Sequence, residues 1–143
     1  MVDSLLYVSR AALPTREGST ELAEILAVAR TRNRALDVTG AIIFTQDNFA
    51  QLLEGPRAAI DQLMASIRQD PRHTDVRTVR QEQDVARRFE GWHMAYEGPS
   101  VFIARHVRVL SASFSTPSDL HIARLMDLMV SLSKHELSQA RLS

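Results

Sequence analysis

The run Val38-Thr39-Gly40-Ala41-Ile42-Ile43-Phe44 is apolar except at Thr39 and Gly40. It has the length and composition of a strand covered on both faces. Gln46-Asp47-Asn48 supplies turn chemistry, and Phe49-Ala50-Gln51-Leu52-Leu53-Glu54 follows. This second run predicts the returning strand of a hairpin. Gly55 ends that strand, and Pro56 suits the first position of a following helix.

Upstream, residues 4–10 read as a strand, with Leu5, Tyr7 and Ser9 on one face and Leu6 and Val8 on the other. Pro14 and Gly18 break the chain, and Ser19 or Thr20 can cap a helix. Leu22, Ile25, Leu26 and Ala29 then recur at helical spacing. Downstream of Pro56, Ile60, Leu63, Met64 and Ile67 form one stripe, stopped by Asp70-Pro71. Residues 74–83 and 89–97 read as two further strands. The predicted order is βαββαββ, an α+β ferredoxin-like core with two helices on one sheet face and a fifth strand added.

The pattern changes after Pro99, dividing the chain into a core, 1–98, and a helical extension, 99–143. Residues 100–109 read as a short helix. Thr116-Pro117-Ser118-Asp119 reads as a helix start, followed by Leu125, Leu128, Met129 and Leu132 on one stripe. Because the core helices cover one sheet face, this extension is expected to cover the other, although its apolar stripe could also serve a homo-oligomer.

Composition removes several classes. The 143 residues suit one core, and 17 basic residues balance 17 acidic ones. That balance gives no support for nucleic acid or an anionic membrane as partner. The absence of cysteine excludes disulfides, thiolate metal sites and cysteine nucleophiles. No apolar run reaches the roughly 20 residues of a membrane span, and no secretory leader is evident. The expectation is a cytoplasmic protein.

Three polar residues stand out. Tyr7 shares a strand face with Leu5, and Gln51 shares one with Phe49 and Leu53, while Asn33 lies near the end of an amphipathic helix. If these faces are buried, their polar groups need partners. They could satisfy one another or hold a flat heteroaromatic ring. Taken singly, each has a plainer reading: Tyr7 as a core aromatic, Gln51 as a solvated strand residue, Asn33 as a helix C-cap. Trp92 reads as packing, and His73 as part of a surface loop.

Taken together, the blocks are more specific. Leu6-Tyr7-Val8-Ser9-Arg10, Asn33-Arg34-Ala35-Leu36-Asp37-Val38-Thr39-Gly40 and Phe49 to Pro56 stand in order. Asp70-Pro71-Arg72-His73 and Arg88-Phe89-Glu90-Gly91-Trp92-His93-Met94 follow. In order and spacing, from about Leu5 to Tyr96, the chain resembles the BLUF family of blue-light sensors that use flavin. The resemblance implies a flavin ring held between the two core helices, with FAD the usual ligand and FMN or riboflavin as alternatives. It implies Tyr7 as electron donor, Gln51 as the switch, and Asn33 as the amide on the imide edge of the ring. Ile25, Arg32 and Phe49 would pack around the ring. Asp70, Arg72 and His73 would meet the ring edge and the sugar-phosphate tail. Trp92 and Met94 would carry the signal out of the pocket. The position of Arg32 varies in the family; an arginine there can stack on the ring or reach phosphate.

The resemblance further implies a sensor rather than an enzyme, signalling to a downstream protein partner or through its own oligomer. Two other classes remain on the residues alone. A small phosphatase of the acylphosphatase kind would need Arg10, Asn33 and Arg72 around a phosphate-cradling loop, and no glycine-rich loop accompanies them. A flavin oxidoreductase would need a nicotinamide site, which no motif resembles. A colourless metabolite-binding regulatory module is the third possibility.

Overall fold

The computed structural model describes residues 1–11, 20–44, 48–91, 95–97, 120, 122–127 and 129–130. The elements run β1 (Val2–Ala11), α1 (Thr20–Ala35), β2 (Thr39–Phe44), β3 (Asn48–Gly55), α2 (Arg57–Gln69), β4 (His73–Val85) and β5 (Ala95–Glu97). The sheet order is β4-β1-β3-β2-β5. β1 is antiparallel to both β3 and β4, β2 is antiparallel to β3, and β5 runs parallel to β2. Each helix therefore links two parallel strands with a third strand between them. This is the expected ferredoxin-like core.

Strand alternation builds two cores. Leu5, Tyr7, Ile42, Phe44, Phe49 and Leu53 point toward the helices, where they meet Ile25, Leu26 and Ala29 of α1 and Ile60, Leu63, Met64 and Ile67 of α2. Leu6, Val8, Ala41, Ile43, Ala50 and Leu52 point the other way. They pack against Phe89 and against Ile122, Leu125, Met126 and Met129 of the C-terminal helical residues. The described C-terminal residues thus pack on the second sheet face, the side expected for them. Exposure of the four larger strand side chains there, Leu6, Val8, Ile43 and Leu52, would otherwise cost about 1.5–3 kcal/mol each.

Gly40 permits the β2–β3 pairing. A Cβ at this position would lie 1.9 Å from the Leu52 carbonyl oxygen. No side chain tolerates that approach without parting the strands. At the outer edge, the β1–β4 ladder shifts register three times, and Asp75 and Asp84 of β4 adopt positive φ. Such bulges twist an edge strand away from further pairing.

Several expectations require correction. β4 starts at His73 and runs to Val85, longer than 74–83. The strand expected over 89–97 is confined to Ala95–Glu97 in its described part. Phe89 is not a strand residue; its amide bonds a side chain of β3 instead. Pro56 is the N-cap of α2 rather than its first helical residue. The helix expected over 100–109, the Thr116 helix start, Trp92 and Met94 lie outside the described residues.

Asn33 is not a cap. The Val38 amide bonds the Asn33 carbonyl at 2.8 Å and the Asp37 amide bonds the Arg34 carbonyl at 3.3 Å. With Asp37 at φ 58°, this is a Schellman turn in which Asn33 stands three residues inside the helix end. Asp37 takes the left-handed position usually held by glycine. The Asn33 side chain is fully buried.

Candidate functional site

The site begins with strand register. Tyr7 of β1 is the direct cross-strand partner of Gln51 on β3, and Gln51 is the partner of Ile42 on β2. The Tyr7 hydroxyl donates a hydrogen bond to Gln51 Oε1. Both groups are buried. Burial pushes the Tyr7 phenol far above its ordinary value of 10.0; the nearby Arg32 charge works against this and Asp70 reinforces it. The phenol therefore holds its proton at every physiological pH.

Above this pair lies a cleft between α1 and α2. Ile25, Val28, Ala29 and Arg32 of α1 form one wall; Ser66, Ile67, Asp70, Arg72 and His73 form the other. Ile42 and Gln51 contribute from the sheet. Arg32 Nε is buried and has no hydrogen-bond acceptor among the described residues. The Asp70–Arg72 pair is a fork: Arg72 donates from Nε at 3.0 Å to one carboxylate oxygen and from a terminal nitrogen at 2.8 Å to the other. Burial would raise the Asp70 carboxyl, but the Arg72 hydrogen bonds and the Arg72 and His73 charges hold it below its ordinary value.

His73 is buried, which overturns its reading as a surface loop residue. Its Nδ1 is 2.8 Å from Ser9 Oγ. Its ring lies 4.5 Å from that of Phe49 and edge-on to Tyr7 at 6.1 Å. Burial pushes the imidazole down to about 4, with Arg72 and Arg32 adding to the effect and Asp70 opposing it. It is neutral at pH 7.

Six of the nine expected binding residues thus line one cleft: Ile25, Arg32, Gln51, Asp70, Arg72 and His73. Tyr7 lies beneath Gln51 and Phe49 packs against His73. Asn33 is buried beside Arg32 without lining the cleft. Arg10 is exposed and is not among the residues lining this cleft, whereas Arg72 is. Sequence reading missed Val28, Ala29, Ile42, Ser66 and Ile67 as cleft residues, and Ser9 as the partner of His73. Ser9 was legible as a face-mate of Tyr7, two residues on.

A family profile described as sensors of blue-light using FAD, BLUF, matches residues 2–95. The chain belongs to the BLUF family. Among relatives of this BLUF chain, a photoactivated adenylate cyclase subunit beta of Euglena longa is 43% identical over 76 residues, 53% of this chain and 9% of the relative. The blue light- and temperature-regulated antirepressor BluF of Escherichia coli (strain K12) is 35% identical over 89 residues, 62% of this chain and 22% of the relative. The chain thus spans less than a quarter of the length of either curated relative. Among solved structures, the dark state of the BLUF protein BlrB superposes with a TM-score of 0.70 at 29% identity, covering 88% of this chain and 96% of that one. Klebsiella pneumoniae BlrP1 with FMN and cyclic diGMP gives 0.66 at 29% identity, covering 92% of this chain and 35% of that one. The family is one of flavin-using light sensors, and the matched stretch is the sensor module. No helix among the described residues is long and apolar enough to cross a membrane.

Proposed function

We propose that residues 1–98 form a blue-light switch that binds FAD non-covalently between α1 and α2, with residues 99–143 as its output extension. The observation that carries this reading is the buried Tyr7–Gln51 hydrogen bond at the base of a cleft edged by cations. The donor set fits a flavin. Gln51 lines the cleft with an amide able to meet the acceptor and donor positions of an imide edge, and Asn33, buried and next to Arg32 in sequence, is the second amide proposed for that edge. Arg32 has a buried donor unspent, and Arg32 and Arg72 suit phosphate or an electron-rich ring. Ile25, Ala29, Ile42 and Ile67 supply apolar contact. The same contacts admit FMN, the flavin named for BlrP1.

A bound flavin supplies blue-light absorption and, when excited, a strong pull on a nearby electron. The protein does the rest. Tyr7, the donor, becomes far more acidic on losing an electron. Its proton has a path along the existing bond to Gln51 Oε1. Gln51 then turns or changes tautomer, presenting a different hydrogen-bonding edge to the cleft. Single hydrogen bonds are worth about 1 kcal/mol net, a scale suited to a reversible change. The buried surroundings keep water from short-circuiting the proton path.

The switch has an exit. Tyr96 of β5 is the register partner of Ile42, which is the partner of Gln51, so one row crosses β1, β3, β2 and β5. Trp92 and Met94 precede β5 in sequence and are the expected relays. Output would pass to a cytoplasmic protein partner or to a second copy of the chain. The chain itself acts as sensor and not as enzyme. Purified protein loaded with FAD should be yellow, and its flavin band should shift red under blue light and return in darkness. Protein that takes up no flavin, or flavin that shows no shift, overturns the reading.

A further inference from the structure

Glu54 is fully buried at the far end of the strand that carries Gln51. Its carboxylate accepts three hydrogen bonds: from Thr39 Oγ1 at 3.1 Å, the Arg88 amide at 2.6 Å and the Phe89 amide at 2.9 Å. Arg87 completes the cluster. It donates to Thr39 Oγ1 at 2.9 Å, the Glu54 carbonyl at 3.2 Å, and the Asp37 carbonyl and carboxylate at 2.9 and 3.2 Å. Polar oxygens at this depth need partners; here the donors come from two segments distant in sequence.

The connections are what matter. Asp37 belongs to the turn that closes α1, and the next residue, Val38, bonds the carbonyl of Asn33. Arg87, Arg88 and Phe89 lie on the connection that leads toward β5. Phe89 is buried in the second core, against the face where the C-terminal helical residues pack. One polar cluster therefore ties the end of the helix bearing Asn33, the end of the strand bearing Gln51, and the root of the output strand.

We propose that Glu54 and Arg87 are positioning residues, forming a latch that holds the β4–β5 connection against the sheet and sets the return of the switch to its dark state. The proposal rests on the light-switch reading above. Nothing in the latch touches the cleft, so its action is through the two segments that it joins. Weakening it removes bonds made in the resting arrangement and so reduces the drive to return.

The test uses the full chain. Without flavin, Arg87→Gln should speed amide exchange at Val38 and at Arg88 and Phe89 together, by about tenfold or more at each. Thr39→Val, which removes one hydroxyl at nearly constant shape, should do the same more weakly. With FAD bound, Arg87→Gln should retain the red shift but slow dark recovery about threefold or more, a modest loss on the tenfold-per-1.4 kcal/mol scale. Arg87→Lys, keeping charge without the fork, should lie between. Arg57→Gln, which breaks an exposed ion pair with Asp61 on α2, should leave recovery unchanged.

Two results overturn the latch: faster exchange at only one of the two segments, or unaltered recovery in Arg87→Gln despite faster exchange, which would mark a purely structural cluster. If the unsubstituted protein binds FAD without any red shift, the light-switch reading fails, and the latch as a recovery control fails with it. A normal photocycle with unaltered recovery in Arg87→Gln overturns the latch alone.

Discussion

Tyr7 and Gln51 face one another across the β1–β3 ladder, 44 residues apart in sequence, and the phenol donates to the amide oxygen. The pairing fixes which end of the Gln51 amide faces the phenol: the oxygen accepts. It also makes the two side chains interdependent, since moving one breaks the bond of the other. Replacing Tyr7 with Phe removes the proton and the donor but little volume. Tyr7→Phe should bind flavin and show no normal red shift under blue light. Gln51→Leu should bind flavin and fail in the same way. A normal difference spectrum in either variant would refute the assigned role.

Asn33 and Arg32 should govern affinity instead. Asn33→Ala removes an amide able to make paired hydrogen bonds, each worth about 1 kcal/mol and more where water is excluded. Flavin affinity should fall roughly tenfold to a hundredfold, measured by fluorescence titration, with the photocycle of the bound fraction retained. Arg32→Gln should weaken FAD binding more than riboflavin binding if the guanidinium reaches phosphate. Equal losses would assign it to the ring.

Stability should depend on pH through His73. Its folded value, about 4, lies below its ordinary 6.5. Between those values the unfolded chain binds a proton that the folded chain does not. Stability is therefore complete above pH 6.5 and falls as pH drops toward 4, by about 3 kcal/mol at most. The lowered Asp70 carboxyl acts in a separate, more acidic window: its contribution is present above its ordinary 3.8 and is lost below it. Denaturant melts from pH 7.5 to 4.0 should show the slope, and His73→Gln should flatten it. An unchanged slope in the variant would place the titrating group elsewhere.

Much of this was legible in the sequence because it is local. The hairpin at residues 38–56, the two amphipathic stripes and the faces of Tyr7 and Gln51 all follow from periods of 2 and 3.6. What was not legible depends on pairing between distant segments. His73 follows Asp70-Pro71-Arg72, a polar turn, and only the β1–β4 ladder brings it beside Ser9 and under cover. Phe89 looks like the start of a strand; its amide is taken by Glu54, 35 residues away, and strand structure resumes only at Ala95. Asn33 resembles a cap because asparagine favours that role, but the left-handed residue is Asp37. The family resemblance supplied the grouping of cleft residues that periodicity alone left open.

The two faces of the sheet should respond independently. Leu125 is fully buried against the face opposite the cleft, among Ile43, Leu52 and Phe89 and their neighbours in the second core. Leu125→Ala removes three carbons from a packed site and should destabilise the protein by about 2–5 kcal/mol. Asp127 is exposed on the same helix, and Asp127→Ala should change stability by less than about 0.5 kcal/mol. Neither residue lines the cleft, so flavin affinity should hold within about twofold wherever the variant remains folded. Paired measurements of urea midpoint and flavin dissociation constant on each variant check both statements. A large loss of affinity in folded Leu125→Ala would mean that the covering helix shapes the cleft through the sheet, and that the two cores are one mechanical unit.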